Sequence, residues 1–251
     1  MKTVFCRQAS LATSCITMLA AVAVIWSALG NISDLVTGAD AAGLAAAIES
    51  PRKELVSRPL TELIEGFELT SRIDQLESIC LDQVSRAVST IRLARLENAR
   101  RTSDEDVVTF RAKAALRTVE KRLLCSPADG AAWLNRARLL DEFGGSVDDV
   151  NASLQVSYWV GPSERWIMLP RFAFVSPKIE NGDLSLELEF KSDLNRLVLS
   201  FPPELIAEIY VGSGPVVRSS LASEIRRQPE NRQMRIVNAV DRMGVSIKFT
   251  P

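Results

Sequence analysis

The chain has 251 residues, 47% of them apolar and 24% charged, with a formal net charge of −1. That is enough apolar material for a core, and too little net charge for a general attraction to nucleic acid. It contains no histidine, which excludes Ser-His-Asp and Cys-His nucleophile systems, histidine-ligated zinc and imidazole pH switches, and leaves any catalysis to carboxylates, Lys, Tyr or Cys.

Lys2 and Arg7 precede an uncharged stretch whose apolar heart spans residues 11–29. At about 1.5 Å per residue such a helix nearly spans a hydrocarbon core of roughly 30 Å, and its uncharged flanks supply the rest. Trp26 fits an interfacial aromatic anchor. Asp34, Asp40 and Glu49 come before the next cation, Arg52, so the positive-inside rule predicts a cytoplasmic N-terminus with the remainder across the membrane. The competing reading is a cleaved signal peptide with Ala28-Leu29-Gly30 as its processing site.

After an Ala/Gly-rich spacer, Leu69, Ile73, Leu76, Cys80, Val84, Ala87, Ile91 and Ala94 recur every three or four residues. This spacing predicts one long amphipathic helix capped by Thr70 or Ser71. Thr102-Ser103-Asp104 marks a break. The next helix carries Val107, Val108, Ala112, Ala115, Leu116, Val119 and Leu123 and stops before Pro127. Asp129-Gly130 opens a helix bearing Trp133, Ala137 and Leu140, Gly144-Gly145 ends it, and Val147, Val150, Leu154 and Ser157 line the following one. Gly161-Pro162 breaks the chain again, ahead of a helix through Trp166, Ile167 and Phe172.

From Asp183, Leu184, Leu186, Leu188 and Phe190 alternate with polar residues as in a strand, whereas Phe190, Leu194, Leu197, Val198 and Phe201 follow helical spacing. Leu and Glu favour helix, and helix is the prediction. Further helices are expected after Pro203, around Val217 to Ile225, and from Met234 to Met243. The expected fold is therefore mostly α, with a transmembrane helix, a long amphipathic helix and a hairpin solenoid. Its expected domains are 1–33 (cytoplasmic tip and anchor), 34–103 (spacer and long helix), 104–175 (hairpins) and 176–251 (C-terminal helical subdomain).

The hairpin spacing resembles the tetratricopeptide pattern over roughly residues 107–172. Trp133 takes the opening aromatic position, Ala137 the small one and Leu140 the large one, with Gly144 at the turn. With one inserted residue allowed at Gly144-Gly145, Val150 and Leu154 take the second-helix core positions, Ser157 the small position and Pro162 the terminal proline. On that analogy Leu134, Arg138 and Asp141 would line an inner groove and contact a partner. Ser126, Pro127, Asp129, Gly130, Trp133, Gly161, Pro162 and Glu164 together resemble a core found in small inner-membrane proteins that accompany exopolysaccharide synthesis and export in Gram-negative bacteria. The resemblance covers about half of the chain. It implies a non-enzymatic periplasmic adaptor whose partners are envelope proteins of polysaccharide synthesis or export and the inner-membrane lipid. A structural subunit of another envelope assembly, homo-oligomeric through the long helix, is the alternative.

Other chemistry is weakly indicated. Cys6 and Cys15 fall in the tip and anchor, leaving Cys80 and Cys125 either as a disulfide or as two small buried residues. The acids of Asp104-Glu105-Asp106, Asp141-Glu142 and Asp148-Asp149 fall at helix starts or on exposed helix faces, where they complement the dipole or solvate the surface. Gly212-Ser213-Gly214-Pro215 lacks the lysine of a phosphate loop. Arg92, Arg95, Arg100, Arg101, Arg111, Lys113, Arg117, Lys121 and Arg122 read as a solvated helix face rather than a polyanion site. No metal, cofactor or nucleic acid is implied by any motif.

Overall fold

A computed structural model describes residues 80–183 and 185–247. Among these the chain is mostly helical, with nine helices and no strand. None of these helices is long and apolar enough to cross a membrane, and the expected span at residues 11–29 lies outside the described residues. The chain divides into two compact units between Cys125 and Ser126.

In the first unit, α1 (Asp82–Thr102) and α2 (Glu105–Cys125) pack together as a hairpin. Val84, Ala87, Val88, Ile91, Leu96 and Ala99 of α1 are buried, as are Ala112, Ala115, Val119 and Leu123 of α2. The expected long helix is shorter at its described end, since Leu81 is the cap of α1 and Cys80 precedes it exposed, off the apolar seam. Leu69, Ile73, Leu76, Thr70 and Ser71 lie outside the described residues. Val107, expected on the buried side of α2, is exposed because the packed face runs through Ala112, Ala115 and Val119 one turn on.

The second unit holds α3 (Gly130–Glu142), α4 (Val147–Val160), α5 (Arg165–Glu180), α6 (Glu187–Ser200), α7 (Pro203–Gly212), α8 (Pro215–Arg226) and α9 (Glu230–Arg242). Asp129 caps α3 by accepting from the backbone N–H groups of Ala131 and Ala132 at 3.1 and 3.0 Å. Ser146 caps α4 by accepting from Asp149 N–H at 3.1 Å, while its hydroxyl donates to the Asp149 carboxylate at 2.7 Å. These caps satisfy N–H groups that have no partner inside the helix. Between the two helices Gly144 sits at φ +84°, a left-handed conformation that side chains with a Cβ resist, and Gly145 N–H closes the turn on Leu140 C=O at 2.7 Å.

The start of α3 and the end of α4 meet almost backbone to backbone. A Cβ on Gly130 would come within 3.3 Å of Gly161 Cα and 3.1 Å of Ile167 Cδ1. The buried Ser157 hydroxyl donates to Gly130 C=O at 2.7 Å across this crossing. Ser157 and Ala137, the two small positions of the hairpin, are both fully buried. Trp133, expected in the core, is only half-buried, because its indole N–H reaches back to Pro127 C=O at 2.8 Å and holds the ring beside the N-terminal turn.

Helix α5 continues through Pro170 and Pro177, each of which removes one helical hydrogen bond at a cost of roughly 3 kcal/mol. Both prolines are exposed, while Ile167, Met168, Phe172, Val175 and Ile179 are buried on the opposite face and offset that cost by packing. The helix runs through the expected 175/176 boundary, so residues on both sides share one core. Residues 187–200 form a helix, with Phe190, Leu194, Leu197 and Val198 buried; Leu188, which made the alternation look strand-like, points to solvent. Beyond α6 the pairing departs from a simple succession of hairpins: α8 packs on both α5 and α6, and α9 packs mainly on α7.

Candidate functional site

The polar centre of the second unit is a fully buried arginine. Arg171 rises from the packed face of α5 and grips Asp193 of α6 with both ends of its fork, Nε to Oδ2 at 2.7 Å and Nη2 to Oδ1 at 2.8 Å. Its Nη1 also donates to Ser157 C=O at 2.9 Å, and both terminal nitrogens approach Gly161 C=O at 3.4 Å. The Tyr158 ring lies under the guanidinium, 4.0 Å from centroid to Cζ. Burial pushes the Asp193 carboxyl upward, against the pull of Arg171, and burial pushes the Tyr158 phenol up as well. This pair is closed to solvent and bonds α4, α5 and α6 together, so it acts as a structural tie rather than as a reaction centre. Sequence reading missed it. The signal was an arginine inside the apolar run of α5 and an aspartate on the Phe190–Leu194–Leu197 seam.

The same economy extends to other charges. Arg232 donates to Val198 and Phe201 C=O at 2.7 Å each at the end of α6, and Arg218 donates to Tyr210 and Val211 C=O at 3.0 and 2.6 Å at the end of α7. Arg196 reaches Pro162 C=O at 2.5 Å, and Arg165 reaches Ser200 C=O at 2.5 Å. Except for Pro162 C=O, which lies in the α4–α5 loop, these are carbonyls that helix ends leave unsatisfied, met by arginines from neighbouring helices. Of the basic residues in the first unit, Arg95 and Arg122 are buried rather than solvated.

The residues nominated for partner contact do not form a common surface. Leu134 is a core residue, buried with Ala137, Leu154, Ile167 and Met168, because it falls on the side of α3 that faces α4 and α5. Arg138 is exposed. Asp141 is exposed but tied to α5 by Lys178 Nζ at 2.5 Å, and that ammonium also lies 5.1 Å from the centroid of the Phe174 ring. Among the described residues a groove lies along α5 and the α7–α8 turn. It has a volume of about 610 Å³ and is lined chiefly by Leu169, Phe172, Ala173, Pro177, Ile209 and Gly212. At its edge the Glu180 carboxylate accepts from Val216 and Val217 N–H at 3.1 and 2.7 Å, capping α8 from α5. A Cβ on Gly214 would collide with that carboxylate, so a larger residue there would displace the Glu180 side chain from its cap. Pro177 and the Gly212-Ser213-Gly214 turn are the sequence features that border the groove.

Cys80 and Cys125 are joined by a disulfide, with Cα atoms 5.3 Å apart, closing the α1–α2 hairpin at its open end. The paired acids sit at helix ends. Asp104, Glu105 and Asp106 are exposed at the start of α2, Asp141 and Glu142 at the end of α3, and Asp148 and Asp149 in the first turn of α4.

No family model, curated protein or solved structure matches this chain. What the coordinates define is a class of architecture: a disulfide-closed helical hairpin, and a second helical unit built around a buried Arg–Asp pair and bearing an apolar groove.

Proposed function

We propose that the chain is a non-enzymatic adaptor of the bacterial envelope, held at the inner membrane by residues 11–29, with its folded units on the periplasmic side. There it assists exopolysaccharide synthesis or export through protein contacts. The observation that carries this reading is the groove of about 610 Å³ on α5 and the α7–α8 turn, apolar for most of its lining, with its one charged lining residue, Glu180, already committed to capping α8. Such a surface suits a partner segment with apolar side chains better than a reaction needing converging acids. The disulfide supports the placement, since disulfides form and persist in oxidising compartments. The α3–α4 hairpin, with its buried Ala137 and Ser157 and its Gly144 turn, supports reading that segment as a tetratricopeptide-like unit. The alternative, oligomerisation through the long helix, gains no support from α1, whose Val84, Val88, Ile91 and Leu96 are already buried within the chain.

The test is polymer yield and chain length in an in-frame deletion strain. It is complemented by the full chain, by a version lacking residues 1–33, or by the full chain carrying Ala173→Arg in the groove. We expect the full chain alone to restore polymer. Unchanged polymer in the deletion strain sinks the polysaccharide assignment. Full rescue by Ala173→Arg, with that variant folded, removes the groove from the proposal.

A further inference from the structure

The disulfide of the first unit is not buried in the manner of a purely structural staple. Cys80 is exposed and precedes α1, whereas Cys125 is half-buried as the last residue of α2. The bond spans 45 positions, so every residue of the hairpin lies within the loop it closes. The chain that enters the hairpin and the chain that leaves it for the second unit are therefore joined directly at their sulfurs. The two ends also differ electrically. Cys80 lies beside the N-terminal end of a helix, where negative charge on sulfur is favoured, and Cys125 lies at a C-terminal end, where it is disfavoured.

We propose that Cys80 and Cys125 form a thiol–disulfide exchange site that takes a dithiol–disulfide oxidoreductase as its partner, with Cys80 as the sulfur that meets it. In the oxidising direction the Cys80 thiolate attacks one sulfur of the partner's disulfide. A mixed disulfide forms on Cys80, and the partner's second sulfur leaves as a thiolate and takes up a proton. The Cys125 thiolate then attacks Cys80 Sγ, closing the hairpin and releasing the partner's first sulfur, which is protonated in turn. Two electrons pass from the two cysteines to the partner's disulfide, and their two protons follow. In the reducing direction the partner's thiolate attacks the sulfur of the exposed residue Cys80, and Cys125 leaves as a thiolate and takes up a proton. The partner's second thiolate then attacks the partner sulfur of the mixed disulfide, re-forming the partner's disulfide and releasing Cys80 as a thiolate that is protonated in turn. Access decides the order, because the half-buried residue Cys125 receives an incoming protein less readily than the exposed residue Cys80. This property of the first unit is independent of what the groove of the second unit binds.

The experiment uses the full chain with Cys6 and Cys15 replaced by serine, so that only the hairpin cysteines report. Cys125→Ser and Cys80→Ser versions are each incubated with oxidised glutathione, and the mixed disulfide is followed by intact mass. We expect Cys80 in the Cys125→Ser chain to react about tenfold faster than Cys125 in the Cys80→Ser chain. Equal rates, or a faster Cys125, overturn the assigned order. A second measurement needs neither single variant. Dithiothreitol reduction of the intact bond, followed by maleimide gel shift, is expected to proceed without denaturant while far-UV circular dichroism keeps its helical signal. Reduction that waits for the helices to unfold overturns the site itself.

Discussion

At the scale of single residues, Arg171 and Asp193 are the pair whose loss should be felt most. Asp193→Asn leaves the guanidinium buried without its counter-charge, and the expected cost is about 3–5 kcal/mol, read as a fall in the urea midpoint. Replacing both partners by apolar residues should recover only part of this, because Arg171 also satisfies the Ser157 and Gly161 carbonyls at the end of α4. Tyr158 is expected to behave in the opposite way. Its hydroxyl is buried with no hydrogen-bond partner, while its ring holds the guanidinium face. Tyr158→Phe keeps the ring and removes the unpaired oxygen, so thermal unfolding should show stability unchanged or raised, by up to about 1–3 kcal/mol. A clear loss would mean that the hydroxyl has a role the geometry does not display.

At the scale of elements, most of the helices could be placed from spacing and punctuation alone. Asp129, Ser146, Pro203 and Pro215 stand at or beside helix starts, and Gly144 at a helix end, because caps and turns are local chemistry that neighbours in sequence decide. Faces were harder. Leu134 is a core residue and Trp133 only half-buried, since an apolar residue one position off the seam is assigned to core or surface only by the helix packed against it. The surface of α1 supplies a test at this scale. Hydrogen bonding from Arg100, then Arg101, holds the Glu97 carboxyl below its ordinary range. A depressed carboxylate adds stability above its unfolded value and loses it as pH falls through the folded one. Glu97→Gln should therefore lower the melting temperature slightly at neutral pH and not below both values. Glu97 is half-exposed, so screening keeps the effect under about 1 kcal/mol.

At the scale of the whole molecule, the two compact units meet between Cys125 and Ser126, and their stabilities have different sources. The first unit carries a disulfide closing a long loop, which on a chain-entropy account contributes about 4 kcal/mol. The second has no described cysteine and depends on its apolar cluster and the Arg171–Asp193 tie. Trp133, Trp159 and Trp166 all lie in the second unit, so in a Trp26→Phe chain tryptophan fluorescence reports that unit alone. Reductant is expected to shift part of the far-UV unfolding transition to lower urea and leave the fluorescence midpoint where it was. Coincident shifts of both signals would show that the units unfold as one.

By itself the sequence determined the helical class, the order of elements and the absence of histidine chemistry, because periodicity, caps and composition are properties of neighbours along the chain. Only the tertiary structure decided which charges are buried. Arg171 and Asp193 are 22 positions apart, and nothing local says that they share one cavity. It also decided where the groove lies, since α5 meets the α7–α8 turn only after the intervening α6 has folded back, and a concave surface belongs to the packing of helices rather than to any one of them.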